Sequence, residues 1–264
     1  MTYRDKQYKY IILTVEDGIA LVKYNRPEAF NAVNLEMLSE RNEINAGLAT
    51  DPEVKVVVST GNEDAYCAGG DLKYFADFGV KDAREFADGV VSGGNIYYNM
   101  PKPTIAMIAG VCMGGGLEGV LCHDLKIAAD NATFALPEIN VGIFPGGGAT
   151  QRLPQLISLT KAKELIYFGE PFDAQTALEI GIINKVVPLA ELHETTMQWA
   201  KKLAKRPGFA LRMAKEALNA AWSSSLERGL QVETHGWSMC YGTQDQKEGM
   251  RAFIEKRKPV YTGK

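Results

Sequence analysis

Three glycine-rich loops, each placed after an apolar run of strand length, constrain the fold of this chain more than any other feature of its sequence. The loops read "CAGGD" (67–71), "MGGGLEG" (113–119) and "FPGGGATQR" (144–152). Runs such as "VKVVVSTG" and "PKPTIAMIAG" are continuously apolar, which is typical of strands buried in a parallel sheet. Glycine lets a ligand approach the backbone without a Cβ clash, and a helix that starts after such a loop offers free N–H groups to an oxyanion. The pattern therefore predicts an α/β fold whose glycine loops face a ligand.

Local signals predict secondary structure around these loops. Asp17-Gly18 separates two β-rich runs and predicts a tight hairpin. Asn34 can cap the amphipathic helix that follows it, and Asp71 can cap a helix after the first glycine loop. From about residue 188 onward the pattern is helical, and the last helix is predicted to run to Lys258.

The domain organisation follows from this change of pattern. The chain has 264 residues, 46% of them hydrophobic, which is ample for a sizeable core. It contains no fixed-period repeat, low-complexity tract or obvious linker. We therefore predict an α/β core over residues 1–200 and a helical C-terminal region over residues 201–264.

Composition and charge exclude several function classes. A net charge of −3 does not indicate binding to nucleic acid or to an anionic membrane. The three histidines do not have the spacing of metal ligands. The four cysteines lack a C-x-x-C pair, which favours reduced thiols in a reducing compartment. The N-terminal segment lacks the apolar core of a secretory signal, and the longest mostly apolar run, 105–122, holds five glycines and a glutamate. We expect a cytoplasmic protein with no metal site, nucleic-acid partner or membrane segment.

The second loop contains Gly114, Gly116 and Gly119, which together spell the dinucleotide-binding pattern G-x-G-x-x-G. The pattern alone is a weak signal, and here it lies in the middle of the chain. Glu118 occupies a variable position inside it, where its charge would lie close to a bound pyrophosphate. These two observations disfavour a dinucleotide site.

Two glutamates stand at otherwise apolar positions, each near a glycine loop. They are Glu118 in "MGGGLEG" and Glu138 in "ALPEINVGIFPGGG". An unpaired buried carboxylate is costly, so such a group must have hydrogen-bond partners or an altered pKa. Each glutamate could be a structural acid with satisfied partners. Alternatively, the two could form a carboxylate pair that transfers protons beside backbone donors.

Several separate motifs, in order along nearly the whole chain, resemble those of the crotonase (enoyl-CoA hydratase/isomerase) superfamily. They read "NRPEAFNAV", "CAGGDLKYF", "AGVCMGGGLEGVLCHDLKIAAD", "FALPEINVGIFPGGGATQRL" and "ALEIGIINKVVP". The resemblance implies the ClpP/crotonase fold, a right-handed spiral of ββα units. It also implies that residues 201–264 complete trimers, which often pair into hexamers.

The resemblance further implies a reaction and four site residues. The family acts on acyl-CoA thioesters and needs no metal or redox cofactor, since coenzyme A is part of the substrate. The matching oxyanion donors are the backbone N–H groups of Gly70 and Gly115. In members that hydrate a double bond, two glutamates hold one water, and the matching residues are Glu118 and Glu138. On this basis we expect ionised Glu118 to activate the water for attack at Cβ, and Glu138, or a proton relayed through that water, to protonate Cα. The spacing of the motifs does not fix which glutamate is the acid and which is the base.

Residues in contact with coenzyme A are also implied by the matching motifs. The lysines in this set could equally be ordinary solvated charges, and the two at the C-terminal end belong to a basic tail that can come from a neighbouring subunit. The set comprises Arg26, Ala29, Phe30, Ala68, Asp71, Leu72, Lys73, Lys256 and Lys258.

The sequence departs from the family pattern at two places. Gly70 stands where alanine is common in hydratases, and the last glycine block reads "PGGGATQ" rather than "PGAGGTQ". Aromatic and methionine side chains could shape the acyl pocket, although most such residues in a chain of this size belong to the core. The substrate therefore stays open, from a short linear to a cyclic enoyl-CoA. The candidates are Met113, Phe75, Phe78, Tyr97, Tyr98, Phe144, Trp237 and Tyr241.

Three other functions compete with hydration. Isomerases of the superfamily usually lack the first glutamate, so the presence of both Glu118 and Glu138 favours hydration. A hydratase–lyase shares the first glutamate and stays open. Some crotonase-fold proteins bind RNA, but that function requires a basic face, and helical segments such as "LAELHETTMQWAKKLAKR" carry both signs of charge.

Overall fold

A computed structural model describes residues 2–264. The chain begins with a hairpin of two antiparallel strands, β1 (Ile11–Glu16) and β2 (Ile19–Tyr24). The two connecting residues, Asp17 and Gly18, have φ angles of +52° and +77°. Positive φ at both positions is the geometry of the two-residue turn that matches the twist of paired strands, so the predicted hairpin is confirmed.

The strands form two sheets. The first has six strands in the order β1, β2, β3, β5, β7, β10, and every pair after the hairpin is parallel. Its further members are β3 (Val56–Thr60), β5 (Thr104–Ile108), β7 (Leu125–Ala129) and β10 (Lys185–Val187). The second sheet has four strands, β4 (Ala65–Cys67), β6 (Val111–Met113), β8 (Thr133–Ala135) and β9 (Phe172–Asp173). β3 and β5 are buried along their whole length, as their unbroken apolar runs predict.

The path of the chain between the sheets is a spiral. β3, β5 and β7 of the first sheet are each followed by a strand of the second, namely β4, β6 and β8. The expected crotonase-like spiral is therefore the fold of this chain. The helices of this region are α1 (Leu35–Thr50), α2 (Leu72–Phe75), α3 (Val80–Tyr98), α4 (Gly115–Val120), α5 (Ala149–Leu156), α6 (Leu159–Phe168) and α7 (Ala174–Glu179). Asn34 and Asp71 cap α1 and α2 as predicted, by accepting hydrogen bonds from backbone N–H groups.

Four helices follow β10: α8 (Leu189–Ala204), α9 (Gly208–Ser223), α10 (Leu226–Cys240) and α11 (Gln244–Ile254). α8 packs on the first sheet, and α9 pairs with α10. The Lys215 ammonium of α9 donates to Asp124 at 2.9 Å and ties this pair to the core. The prediction that the last helix reaches Lys258 is wrong, because Lys256 has a φ of +55° and a left-handed residue ends a right-handed helix. Within residues 2–264, no helix combines the length and apolarity needed to span a membrane.

Gly116 lets α4 pack closely against β4. A methyl group at Gly116 would lie 2.1 Å from the carbonyl oxygen of Cys67 and 2.9 Å from its Cβ. A backbone carbonyl in a sheet cannot move away cheaply, so only glycine permits this contact. Gly119, one turn later on the same helix, has no atom within 4 Å of the equivalent position.

We expect Gly116→Ala to lower the free energy of unfolding by about 3 kcal/mol, because the added methyl overlaps the β4 backbone. Gly119→Ala is the matched control, and its better helix propensity should leave stability unchanged or raise it by up to about 1 kcal/mol. Denaturant unfolding of both variants measures the difference. Equal stability of the two variants would contradict the close contact between α4 and β4.

Candidate active site

The site lies where three neighbouring strands of the second sheet end. β4, β6 and β8 are parallel, so their carboxyl ends meet at one edge of the sheet. Gly70, Gly115 and Glu138 each follow one of these ends by two or three residues. β8 ends at Ala135 and a 3-10 turn begins at Pro137, so the strand is shorter than the run "ATFALPEI" predicts. The topology thus brings together residues that are far apart in sequence.

Two backbone N–H groups at this edge lie side by side without acceptors. Around Gly70, Val33 pairs with the flanking residues, donating to the Gly69 carbonyl at 2.7 Å and accepting from the Asp71 N–H at 3.0 Å. The Gly70 N–H between them has no acceptor in the part of the chain that the structure describes. Gly115 is the first residue of α4, where an N–H lacks a partner within the helix. A methyl group built on Gly115 would lie 3.8 Å from the Gly70 nitrogen, so the two donors are close.

Glu118 lies on α4 and is 4% exposed. Its Oε1 accepts hydrogen bonds from the N–H groups of Gly147 at 2.8 Å and Ala149 at 3.0 Å. Burial raises the pKa of this carboxyl group, and the hydrogen bonds to Ala149 and Gly147 oppose that rise. The third glycine loop and the start of α5 therefore supply the donors that favour the carboxylate.

Arg152 fixes the turn that donates to Glu118. Its guanidinium donates to the Gly147 carbonyl at 3.2 Å and to Asn95 Oδ1 on α3 at 2.7 Å. Its positive charge also lowers the pKa of Glu118. The motif "FPGGGATQRL" contains Arg152, but the sequence pattern predicts no role for this residue. Asn95 and Ala149 carry no sequence signal either, because their contacts join segments that are distant in sequence.

His123 supports α4 from the core. Its Nδ1 lies 2.9 Å from the Gly119 carbonyl and its Nε2 lies 2.8 Å from the Ser59 hydroxyl. Burial lowers the pKa of His123 to about 3, so the ring is neutral. A carbonyl oxygen only accepts, so Nδ1 carries the proton and Nε2 accepts from Ser59. This arrangement fixes the helix that carries Glu118.

Glu138 lies in the 3-10 turn Pro137–Val141, facing the second glycine loop. A methyl group at Gly114 would lie 3.0 Å from Glu138 Oε1, and Gly114 has a φ of +51°. Glu138 Oε2 is buried and has no hydrogen-bond partner among residues 2–264. Burial raises the pKa of Glu138 to about 7, and the charge of Glu118 adds to the rise. This carboxyl group is therefore suited to hold a proton near neutral pH.

The residues implied in coenzyme A binding fall into two groups. The N-terminal turn contacts the oxyanion loop, because the Ala68 N–H donates to the Phe30 carbonyl at 2.9 Å. Arg26 does not present a free charge there, since it forms an ion pair with Asp71 at 2.8 Å. Exposed groups remain beside it, including Phe30, Leu72 and Lys73. Ala29 lies in the same turn, at the end of the 3-10 segment Pro27–Ala29.

The structure does not bring Lys256 and Lys258 to this turn. They follow α11, and the hydrogen bonds and ion pairs of residues 255–264 are to that helix and to each other. Arg257, between the two lysines, pairs with Glu248 at 2.6 Å. The two lysine side chains are exposed.

The candidate pocket residues are likewise dispersed. Phe75 and Phe78 lie near the first glycine loop in a cluster with Tyr74 and Phe86. Tyr97 is a core residue that packs on His123, and Trp237 of α10 packs on Tyr241, the residue that follows this helix. Only the first of these groups adjoins the site residues.

We expect Glu138→Gln to stabilise the fold in a pH-dependent way. The folded pKa of about 7 exceeds the ordinary value of 4.5, so the folded state binds more protons than the unfolded state between these values and loses stability as pH rises. Above pH 7 the free energy of unfolding of the variant should exceed that of the original chain by about 2 kcal/mol. Below pH 4.5 this difference should vanish. Denaturant unfolding at both pH values measures it, with Glu63→Gln at an exposed position as control. A gain independent of pH would contradict the burial of the Glu138 carboxyl group.

The chain is similar to known proteins over nearly its whole length. A family model described as enoyl-CoA hydratase/isomerase matches residues 14–264. The chain is 38% identical over 258 residues to a crotonyl-CoA hydratase of Syntrophomonas wolfei, covering 97% of this chain and 99% of the relative. It is 36% identical over 252 residues to a short-chain-enoyl-CoA hydratase of Clostridium acetobutylicum, covering 94% of this chain and 95% of that relative.

Solved structures are similar over the same length. The crystal structure of an enoyl-CoA hydratase from Bacillus anthracis has a TM-score of 0.93 to this chain and 36% sequence identity. The match covers 97% of this chain and all of that chain. The similarity therefore includes the sheets, the glycine loops and the C-terminal helices.

Proposed function

The chain belongs to the enoyl-CoA hydratase/isomerase family, and from this premise we propose that it adds water across the α,β double bond of an enoyl-CoA thioester, using two glutamates and a backbone oxyanion hole. It is an enzyme of the enoyl-CoA hydratase type, a hydro-lyase of acyl-CoA metabolism. One observation carries the finer proposal. A carboxylate held by two N–H groups and a carboxyl group with an unpartnered oxygen lie at the edge that has two free N–H donors.

The Gly70 and Gly115 N–H groups would bind the thioester oxygen. As water adds to Cβ, electrons move through the double bond to this oxygen, and the two donors stabilise the resulting enolate. A single donor of this kind is worth about 3 kcal/mol in other enzymes. Both N–H groups lack acceptors in the described chain, which supports this role.

Glu118 would take a proton from the water as its oxygen bonds to Cβ, and Glu138 would give a proton to Cα. The hydrogen bonds from Gly147 and Ala149 favour the ionised form of Glu118, and the raised pKa of Glu138 favours a protonated acid. One proton then passes from Glu118 to Glu138, and this restores the starting state. The reaction is redox-neutral and needs no metal, so we propose no cofactor beyond the coenzyme A of the substrate.

Substrate binding would involve the turn around Arg26, Ala29 and Phe30 together with residues of the loop 68–73. Exposed Phe30 and Leu72 offer apolar surface for an adenine ring, and Lys73 offers a charge for a phosphate. We propose that Arg26 and Asp71 act through their ion pair, which fixes the turn against the loop. Both linear and cyclic acyl groups are compatible with this outer part of the site.

The decisive test is hydration of linear, branched and cyclic enoyl-CoAs by the original chain and by Glu118→Gln and Glu138→Gln. Each amide variant should lose a factor of roughly 10²–10⁴ in kcat, because a positioned acid or base contributes about that much. Loss of absorbance of the conjugated thioester measures the rate. If Glu118→Gln keeps full activity and Glu138→Gln is inactive, double-bond isomerisation replaces hydration as the assignment. A shorter acyl-CoA product would indicate a hydratase–lyase.

We also propose that residues 201–264 form a trimer interface, with hexamers as pairs of trimers. Large apolar side chains are exposed on these helices, more than a soluble monomer usually presents in one region. A neighbouring subunit could bring Lys256 and Lys258 to the coenzyme A turn. The exposed set includes Leu218, Trp222, Leu226, Leu230, Trp237, Met250, Phe253 and Ile254.

Light scattering should give a mass that is three or six times the 28.9 kDa of one chain. Phe253→Lys should shift the mass towards one chain, because a charge would replace an apolar side chain that is 85% exposed in the single chain. Val80→Lys, at a 91% exposed position outside these helices, is the matched control and should leave the mass unchanged. A monomeric original chain would exclude the trimer.

A further inference from the structure

The departure at Gly70 has a structural counterpart in Phe75. A methyl group at Gly70 would lie 2.0 Å from Cε2 and 2.6 Å from Cζ of the Phe75 ring. The ring therefore occupies the space that an alanine side chain would need. Phe75 is the last residue of α2, which Asp71 caps, so the short helix places the ring back against the loop.

Phe75 is held there by α3. Its ring centroid lies 4.6 Å from that of Phe86 in an edge-to-face arrangement and 5.3 Å from that of Phe78. Val90, one turn after Phe86 on α3, has its Cγ1 2.9 Å from the position that a methyl group on Gly147 would take. Glu118 Oε2 lies 2.5 Å from that same position. We call Phe75, Phe86 and Val90 the apolar wall.

The apolar wall connects the two halves of the reaction site. Phe75 contacts the backbone of Gly70, the residue whose N–H would bind the thioester oxygen. Val90 lies beside the turn that binds Glu118, where water would meet Cβ. In the proposed reaction, Cα and Cβ lie between the thioester oxygen and the water, so an acyl group bound between these points would run along the wall.

We infer that Phe75 is the specificity-determining residue of this site and that the apolar wall selects short linear enoyl-CoA thioesters. The inference rests on the proposed hydration. A chain that ends one carbon beyond the double bond contacts the wall without displacing it, whereas a longer chain has to displace the Phe75 or Phe86 ring. Glycine at position 70 and phenylalanine at position 75 form a matched pair, since alanine at position 70 would force the ring away from the wall.

The test compares kcat/KM for trans-2-octenoyl-CoA and crotonyl-CoA. Phe75→Ala should raise the octenoyl-to-crotonyl ratio by about tenfold or more, since each methylene accommodated in an apolar pocket changes kcat/KM by about 10- to 200-fold. Phe78→Ala is the matched control, because it removes the same side chain from the same cluster but is not among the nearest atoms to Gly70. An unchanged ratio in Phe75→Ala, or an equal rise in Phe78→Ala, overturns the inference. Phe75→Leu, which keeps an apolar side chain, replaces Phe75→Ala if that variant does not fold.

A double-mutant cycle tests the matched pair. Gly70→Ala should lower crotonyl-CoA hydration by about tenfold or more, because its methyl requires the space of the ring, and Gly70→Ala combined with Phe75→Ala should recover most of this loss. Full activity of Gly70→Ala, or no recovery in the double variant, contradicts the contact. If the original chain hydrates no linear, branched or cyclic enoyl-CoA, the proposed function itself fails; if it hydrates only branched or cyclic ones, the selection of short linear substrates fails. If it hydrates crotonyl-CoA but the variants do not change the ratio, only the role of Phe75 fails.

Discussion

The hydrogen bonds that Glu118 accepts from Gly147 and Ala149 are the interaction on which the site depends. A carboxylate that is 4% exposed cannot stay ionised unless fixed donors replace the water it has lost. These donors come from a turn 29 residues away along the chain, and Arg152 holds that turn by the Gly147 carbonyl. The third glycine loop therefore supplies the hydrogen-bond donors for Glu118, which lies in the second glycine loop. The fold has to bring these two loops together.

Two glycines in particular allow these loops to come together. Gly116 lets α4 approach the backbone of β4, and Gly114 adopts a φ of +51° beside Glu138. With a side chain at Gly116, α4 would move away from the loop that carries Gly70. The resemblance of these glycines to a dinucleotide motif is a by-product of this packing. In the proposed function, this close approach brings backbone N–H groups to a thioester rather than to a pyrophosphate.

The sequence predicts local structure well where the signal is local. The hairpin at Asp17-Gly18 and the buried strand β3 follow from turn chemistry and from an unbroken apolar run. The site residues were matched by motif, yet spacing alone could not show that β4, β6 and β8 share one sheet. Those strands have three residues each, too few for any periodic pattern. The sequence does not predict the Arg26–Asp71 ion pair or the Arg152–Asn95 hydrogen bond, because both contacts depend on the folded path of the chain.

The environments of the two glutamates support different roles for them. Both lose water, which raises both pKa values, but the Glu118 oxygen accepts two backbone N–H groups while a Glu138 oxygen has no partner in the described chain. The charge of Glu118 raises the pKa of Glu138 further. When two nearby carboxyl groups share one proton, the proton resides on the group with fewer donors, which is Glu138. The backbone donors at the start of α5 thus support the proposed role of Glu118 as the base, and the unpartnered oxygen of Glu138 supports the proposed role of that residue as the acid.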